Sequence, residues 1–137
     1  MAVAAVAALA LVTGTAAPVT AADKTLKIYL ISKGETHQFW QAVKLGAETQ
    51  AKKMNAEIVF QGPAAETMID KQLEMLDAAI AVKPDAIGYA ALGTTQSVPN
   101  LKAAHTAGIP VYMFDTAASC TGKLGVASDC ALGVAYT

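Results

Sequence analysis

The stretch that decides the fold is residues 26–47, which read LKIYLISKGETHQFWQAVKLGA. A nearly continuous apolar run is followed by a polar loop and then by a helix-periodic segment, near whose start lie the adjacent aromatic residues Phe39 and Trp40. Such an apolar run is typical of a parallel strand covered on both faces. Loops at the carboxyl ends of parallel strands line the ligand crevice of the sheet. Polar groups beside an aromatic face suit a small polar ligand with one apolar surface, so the stretch favours binding over catalysis.

The same switch between apolar runs and helical periods repeats along the chain. Strands are predicted over residues 26–32, 56–61, 85–91 and 110–115, and helices over residues 37–55 and 65–82. A third helix is predicted to end at Gly108, with Thr94 or Thr95 as its cap and Pro99 in its first turn. Because crossovers are right-handed and connections short, this order predicts an α/β fold with a doubly wound parallel sheet.

The first helix has one apolar stripe, which we expect to pack on the sheet. Its members are Trp40, Val43, Ala47, Ala51 and Met54. Phe39 lies off this stripe, so packing on the sheet accounts for an aromatic residue at position 39 less well than for Trp40.

Residues 1–22 have the composition of a secretory signal peptide. The apolar stretch over residues 1–12 is too short to span a bilayer, and small residues at 20–22 suit cleavage before Asp23. A core or amphipathic helix fits less well, because the stretch has no polar face and Pro18 ends it. No Lys or Arg precedes the stretch, which indicates a start codon assigned too late or a missing amino end. We therefore expect export.

The end of the chain predicts a longer protein. Residues 126–128 fit a short fifth strand, and Ser128 and Asp129 fit the cap of a helix over residues 130–137. That predicted helix reaches the last residue with no stop signal, so we expect further sequence beyond it.

Charge excludes several classes of partner. The net charge is −1 and charged residues make up 15% of the chain, so no basic patch favours nucleic acid. All ten basic residues are Lys, so no guanidinium can clamp a carboxylate or phosphate. The loops at residues 32–36 and 91–95 lack the glycine spacing of nucleotide-binding loops. A neutral polyol is favoured over a charged substrate.

The two cysteines, Cys120 and Cys130, lie close together in sequence. In an exported protein they can form a disulfide, worth about 2 to 3 kcal/mol in the loop-entropy model. Two separate buried thiols are the alternative. The histidines His37 and His105 lie far from both cysteines in sequence, so the chain shows no metal-ligand spacing.

Four segments, taken in their order and spacing, resemble the amino-terminal lobe of periplasmic sugar-binding proteins of the ribose- and galactose-binding type. They are KIYLISKGETHQFWQAVKLGAETQAKK (27–53), VKPDAIGYAA (82–91), AAHTAGIPVYMFDT (103–116) and VASDCALG (126–133). These proteins are the receptors of ABC importers, so the resemblance implies a sugar ligand, a membrane permease as partner, no cofactor and a monomeric full-length protein. It also implies two lobes that close like a hinge. Residues 23–127 would form the first lobe and residues 128–137, with Asp129, would begin the crossing into the second. Because later sequence also adds a strand and a helix to the first lobe of the family, an exposed apolar edge is expected here.

The resemblance implies a set of ligand contacts. Aromatic residues after the first strand stack on the sugar in that family, and the matching residues here are Phe39 and Trp40. The residue two positions earlier, His37, matches a polar contact. Asp115 matches an aspartate that accepts hydrogen bonds from sugar hydroxyls. The next residue is often Arg in the family but is Thr116 here, which puts the usual charge-assisted clamp in doubt.

Structural alternatives stand beside these roles. Trp40 fits the core as well as a ligand contact, so Phe39 is the better stacking candidate. His37 fits a helix-start residue without chemistry, and Asp115 fits a turn cap, although its place after a strand favours ligand binding.

Three further residues, Lys33, Glu35 and Thr94, are candidates by position alone, because each follows a predicted strand. His105 lies on a helix far from the crevice and is expected to be solvated.

Three classes of function follow. The first is an exported solute-binding receptor for a monosaccharide or similar polyol, with no bond making. The alternative is the ligand-sensing core of a LacI-type transcription regulator, but an apolar leader stands where its helix-turn-helix head would be. An enzyme on this sheet lacks any recognisable catalytic constellation.

Overall fold

The computed structural model describes residues 24–119 and the backbone of residues 134–136. Its strands are β1 (Leu26–Ile31), β2 (Ala56–Gln61), β3 (Ala86–Tyr89), β4 (Val111–Met113) and β5 (Val134–Tyr136). Its helices are α1 (Gln38–Lys53), α2 (Ile69–Ala81) and α3 (Val98–Thr106). The signal-peptide prediction, the cysteine pair and the predicted strand at 126–128 lie outside the described residues. Among the described residues, no helix is long and apolar enough to cross a membrane.

The five strands form one parallel sheet in the order β2-β1-β3-β4-β5. The chain first moves from β1 outward to β2 and then crosses back over β1 to β3, so the direction of winding reverses. With right-handed crossovers, that reversal places α1 on one face of the sheet and α2 with α3 on the other. The predicted doubly wound α/β sheet is confirmed.

The larger core lies between the sheet and the α2 and α3 face. Its fully buried side chains include Ile31, Leu76, Ile87, Leu101 and Met113. On the other face Gly88 of β3 leaves room for the side chains of Leu30 and Phe114. Farther along that face Tyr112 of β4 is 51% exposed.

The end of α3 follows its sequence signal closely. Gly108 has φ +72°, and its N–H donates to the carbonyl of His105. The N–H of the buried Ile109 donates to the carbonyl of Ala104, which completes a Schellman motif. Pro99 lies in the first turn, as predicted. The predicted cap is wrong, because Ser97 occupies the N-cap position and neither Thr94 nor Thr95 does.

Three other local predictions need correction. The helix predicted over residues 65–82 begins only at Ile69, and Glu66 before it accepts the indole N–H of Trp40 in α1. Met54 is 61% exposed rather than packed on the sheet, since it is the C-cap residue beyond the last turn of α1. The helix predicted over residues 130–137 is wrong at 134–136, which form a strand paired in parallel with β4. A short apolar run carries no helix-or-strand signal of its own, and here pairing with β4 decides.

A close approach at Gly62 joins β2 to the loop after β1. A Cβ added there would lie 2.3 Å from Ser32 Oγ and 3.0 Å from the backbone of Gly34. The Ser32 hydroxyl itself donates to the Gly34 carbonyl at 2.7 Å. A side chain at position 62 therefore displaces the loop that carries the candidate site.

We expect Gly62→Ala to lower the free energy of unfolding by about 1 to 3 kcal/mol, because backbone atoms must move to admit the methyl group. Urea denaturation followed by circular dichroism measures the change. Gly46→Ala on α1 is the matched control, because a Cβ added there meets nothing within 4 Å. Gly46 also has an ordinary helical backbone. The control should raise stability by about 0.5 to 1 kcal/mol. Equal effects at the two glycines would contradict the packing described.

Candidate functional site

The candidate site lies at the carboxyl ends of β1, β3 and β4. Between β1 and β3 the connections leave toward opposite faces of the sheet, which opens a crevice at this switch point. Three loops meet there, at residues 32–37, 90–97 and 114–119. The backbones of the second and third loops are joined, since Ala91 N donates to Thr116 O and Ser119 N donates to Thr94 O.

Asp115 stands directly after β4 in an unusual backbone conformation. Its φ is +56°, and around it Thr116 N donates to Phe114 O at 2.6 Å, which closes a γ-turn. Left-handed backbone is costly for a residue with a Cβ and persists where the surroundings require it, often at functional sites. The turn aims the Asp115 carboxylate away from the path of the strand.

Lys33, Asp115 and Thr116 form a compact polar cluster. The Lys33 ammonium lies 2.6 Å from Asp115 Oδ2 and donates to Thr116 Oγ1 at 3.1 Å. The Thr116 hydroxyl donates in turn to Asp115 Oδ2 at 2.9 Å. Two loops that are far apart in sequence thus place a cation and an anion side by side. The cation beside Asp115 thus comes from Lys33 in the first loop, while position 116 holds a threonine.

The cluster keeps the Asp115 carboxylate charged. Partial burial raises its pKa, but hydrogen bonds from Lys33 and Thr116 and the charge of Lys33 outweigh this, so the pKa lies below its usual value. A lowered pKa means that the ionised form is favoured in the folded state at neutral pH and is lost only as the pH falls below the ordinary range of Asp. At neutral pH the carboxylate acts as a hydrogen-bond acceptor.

The two aromatic residues at the start of α1 differ in exposure. Trp40 is 2% exposed, and its indole Nε1 donates to Glu66 Oε1 at 2.8 Å. Its ring packs edge to face against Phe114, with centroids 6.4 Å apart, which favours the packing alternative for Trp40. Phe39 is 51% exposed and stands edge to face on Trp40, with centroids 4.8 Å apart. Phe39 therefore presents ring surface that a ligand can cover.

His37 caps α1, as the helix-start alternative has it. Its Nδ1 accepts a hydrogen bond from Phe39 N at 3.2 Å. An accepting Nδ1 places the proton of the neutral ring on Nε2, so the exposed side chain offers a donor. Because the cap uses only Nδ1, His37 can still donate a hydrogen bond to a ligand through Nε2.

Of the other positional candidates, Thr94 is bonded to the loop that carries Asp115 and Thr116, whereas Glu35 is bonded to the segment after β2. The carbonyl of Thr94, a half-buried residue, accepts from Ser119 N, whereas Glu35 is exposed and its N–H donates to Pro63 O. His105 is exposed on α3, as expected for a solvated residue. Cys120 and Cys130 lie outside the described residues.

Two supporting residues were missed at the level of sequence. Gln72 is fully buried on the core-facing side of α2, and a polar residue one turn before Leu76 was its only signal. Glu66 holds the indole of Trp40 from the loop after β2. Nothing in its local sequence distinguishes Glu66 from a solvated residue.

A doubly wound lobe with polar and aromatic side chains gathered at its switch point is a ligand-binding lobe. A family model described as "Periplasmic binding protein domain" matches residues 28–132. The chain belongs to this family, as its four segments indicated.

Solved structures of sugar-binding ABC transporter proteins are similar to this chain. A solute-binding protein from Agrobacterium vitis with bound D-fucose is 36% identical over 75% of this chain and 34% of its own, with a TM-score of 0.68. Another from Agrobacterium vitis, bound with alpha-D-tagatopyranose, is 42% identical over 69% of this chain and 31% of its own, with a TM-score of 0.65.

A third similar structure carries both names that the sequence raised. It is described as "ABC transporter, LacI family transcriptional regulator" from Brachyspira murdochii, and it is 36% identical over 66% of this chain and 28% of its own, with a TM-score of 0.63. The chain thus spans about a third of the length of the structures it matches.

Proposed function

We propose that this chain forms one wall of the interlobe cleft of an exported solute-binding receptor of an ABC importer. The ligand is a monosaccharide or a similar neutral polyol, and no bond is made or broken. The observation that carries the proposal is the Lys33, Asp115 and Thr116 cluster at the switch point, beside the exposed ring of Phe39. The second wall comes from sequence beyond this chain. A membrane permease is the partner, and the full-length receptor is a monomer.

The chemistry of the cluster fits sugar hydroxyls. A hydroxyl group both donates and accepts, so it can donate to the Asp115 carboxylate while it accepts from the neighbouring Lys33 ammonium. The charges of Lys33 and Asp115 already neutralise each other, so the cluster has no net charge to offset the desolvation of a charged ligand. A neutral polyol therefore binds to it more favourably than a charged ligand does. Phe39 adds an apolar surface for the C–H face of a sugar ring, and His37 Nε2 adds a donor.

Isothermal titration of the full-length protein against a panel of neutral pentoses, hexoses and polyols, with sugar phosphates and sugar acids as controls, tests the proposal. We expect one neutral sugar to bind with a dissociation constant in the micromolar range or below, and the charged analogues to bind much more weakly. Absence of heat and of any thermal shift with every neutral polyol would count against it.

The LacI-type regulator is the second candidate, since a similar structure is described with that name. Both candidates bind a small ligand in the same cleft, so location separates them. A tagged full-length protein recovered from the periplasmic fraction supports the receptor, whereas recovery with the cytoplasm and retention on the DNA of its own promoter supports the regulator.

Phe39→Leu is expected to weaken sugar binding about tenfold, which corresponds to ~1.4 kcal/mol of lost ring contact. Titration calorimetry of the full-length protein measures it, and Phe39→Tyr should keep most of the affinity because it keeps the ring. Leu45→Ala on the same helix is the control, since Leu45 is 66% exposed and lies away from the cluster. An affinity of Phe39→Leu equal to that of the control would remove Phe39 from the site.

A further inference from the structure

Gln72 uses the whole hydrogen-bonding capacity of its side chain inside the core. Its Nε2 donates to Ser32 O at 2.8 Å and to Ala90 O at 2.7 Å. Its Oε1 accepts from Tyr89 Oη at 2.8 Å and from Leu92 N at 2.9 Å. The residue is 0% exposed, so no water competes for these four bonds. A buried amide with two donated and two accepted bonds is fully satisfied.

The four partners fix which way the amide points. Burial raises the pKa of Tyr89 far above the physiological range, and hydrogen bonding to Ser97 lowers it less, so the phenol stays protonated and donates. Leu92 N is also a donor, whereas the partners on the other side are two carbonyls. A flipped amide would face donors with donors and acceptors with acceptors, so a single orientation is stable.

Gln72 joins two strands at the point where their own pairing stops. The backbone ladder between β1 and β3 pairs Ile31 with Tyr89, and its last bond runs from Ala90 N to Ile31 O. Beyond that bond the connections diverge toward opposite faces at the switch point. The Gln72 amide continues the ladder across this gap, since it binds the next carbonyl of each strand.

The bonds of Gln72 lead directly to the candidate site. Ser32 immediately precedes Lys33, and Leu92 belongs to the loop in which Ala91 N donates to Thr116 O at 2.9 Å. A displacement of either strand end therefore changes the separation of the Lys33 ammonium from Asp115 and Thr116. Hydrogen-bond geometry at a binding site is sensitive to shifts well below 1 Å.

We infer that Gln72 is a positioning residue for the sugar site: it touches no ligand, and it sets affinity by holding the ends of β1 and β3 in register. The inference rests on the proposed sugar-binding function. It places a residue that determines sugar affinity on α2, although the side chain of this residue is fully buried and does not reach the cleft.

Gln72→Met in the full-length protein tests this, because methionine has a similar shape and forms no comparable hydrogen bonds. Two quantities are measured where the variant is folded: the dissociation constant for the sugar, and the hydrogen-exchange rate of the Ala91 amide by NMR. We expect the sugar to bind at least about tenfold more weakly and the Ala91 amide to exchange at least about tenfold faster, as for one or two lost hydrogen bonds. Ile87→Val is the control, since it trims a fully buried β3 side chain that faces α2 and α3. It should lower stability without changing the dissociation constant.

A second variant, Gln72→Glu, covers the case in which Gln72→Met does not fold. In this buried site a glutamate is protonated, because an ionised carboxylate would face the two carbonyl oxygens of Ser32 and Ala90. It keeps the bonds from Tyr89 and Leu92 and one of the two donated bonds, so both quantities should move in the same direction by a smaller factor. Wild-type affinity and wild-type exchange at Ala91 in either folded variant overturn the inference, as does an equal change in Ile87→Val. If the wild-type protein binds no sugar, the proposed function fails, but exchange at Ala91 still decides whether Gln72 holds the strand ends.

Discussion

Asp115→Gly is expected to weaken sugar binding by the full-length protein about 100-fold, or ~2.7 kcal/mol, without loss of stability. The carboxylate is the charged acceptor of the cluster, and its removal also leaves the Lys33 ammonium without its partner at 2.6 Å. Hydrogen bonds to charged groups are worth about 1.5 to 3 kcal/mol each, so one or two lost bonds account for the effect.

The backbone conformation of Asp115 explains why Asp115→Gly should not lower the free energy of unfolding. Asp115 has φ +56°, a region that glycine adopts at no steric cost and other residues adopt at about 1 to 2 kcal/mol. The lost ion pair is partly exposed and therefore worth about 0 to 1 kcal/mol. We expect the free energy of unfolding to stay unchanged or to rise by up to about 2 kcal/mol, measured by urea denaturation without sugar.

Two control variants separate the contributions. Asp115→Asn tolerates the same backbone but lacks the charge, so its affinity should fall between those of wild type and Asp115→Gly. Asp85 also pairs with a lysine, Lys24, and accepts from Lys27 N. It directly precedes β3 and so lies at the amino-terminal ends of the strands, opposite the candidate site. Asp85→Asn should therefore leave sugar affinity unchanged. A drop in stability with affinity retained in Asp115→Gly would mean that Asp115 serves the turn rather than the ligand.

Leu76→Ala is expected to lower the free energy of unfolding by about 3 to 4 kcal/mol, the largest stability effect foreseen in the described part of the chain. Leu76 is 0% exposed and lies where α2 packs on the sheet among Ile87, Tyr89 and Leu101. The alanine removes apolar burial and leaves a cavity that the close-packed neighbours fill only in part. Urea denaturation followed by circular dichroism measures the loss.

Leu45→Ala gives the matched control for this substitution. Leu45 is 66% exposed on α1, so the same chemical change there should alter stability by less than about 0.5 kcal/mol. Similar losses at positions 45 and 76 would show that the α2 and α3 face is not the main core.

Most of the fold was predictable because its signals are local. The apolar run before the loop at residues 32–36 and the Gly108 helix end each act within a few residues, and the structure has an element boundary at both. Predictions failed where tertiary contacts decide. Residues 134–136 pair with β4, and Glu66, which lies within the predicted second helix, bonds the indole of Trp40 outside any helix.

The candidate site was predictable only as a set of positions. The strand ends predicted Lys33 and Asp115 separately. The two residues are 82 positions apart in sequence, and nothing local indicates that their charges lie 2.6 Å apart. For Trp40 the sequence left core and ligand as equals, and the bond to Glu66 with 2% exposure favours the core. The ligand role of Phe39 stays a prediction, supported by its exposure.

By itself the sequence determined the α/β class, the order of elements as far as β4 and the family, because periodicity, turn residues and segment order are properties of the chain. Only the tertiary structure decided which side chains meet. It supplied the Lys33, Asp115 and Thr116 cluster, the left-handed turn at Asp115 and the Gln72 amide between β1 and β3. The physical reason is that hydrogen bonds and ion pairs act over a few ångströms in space, and only the sheet brings strand ends distant in sequence to that distance.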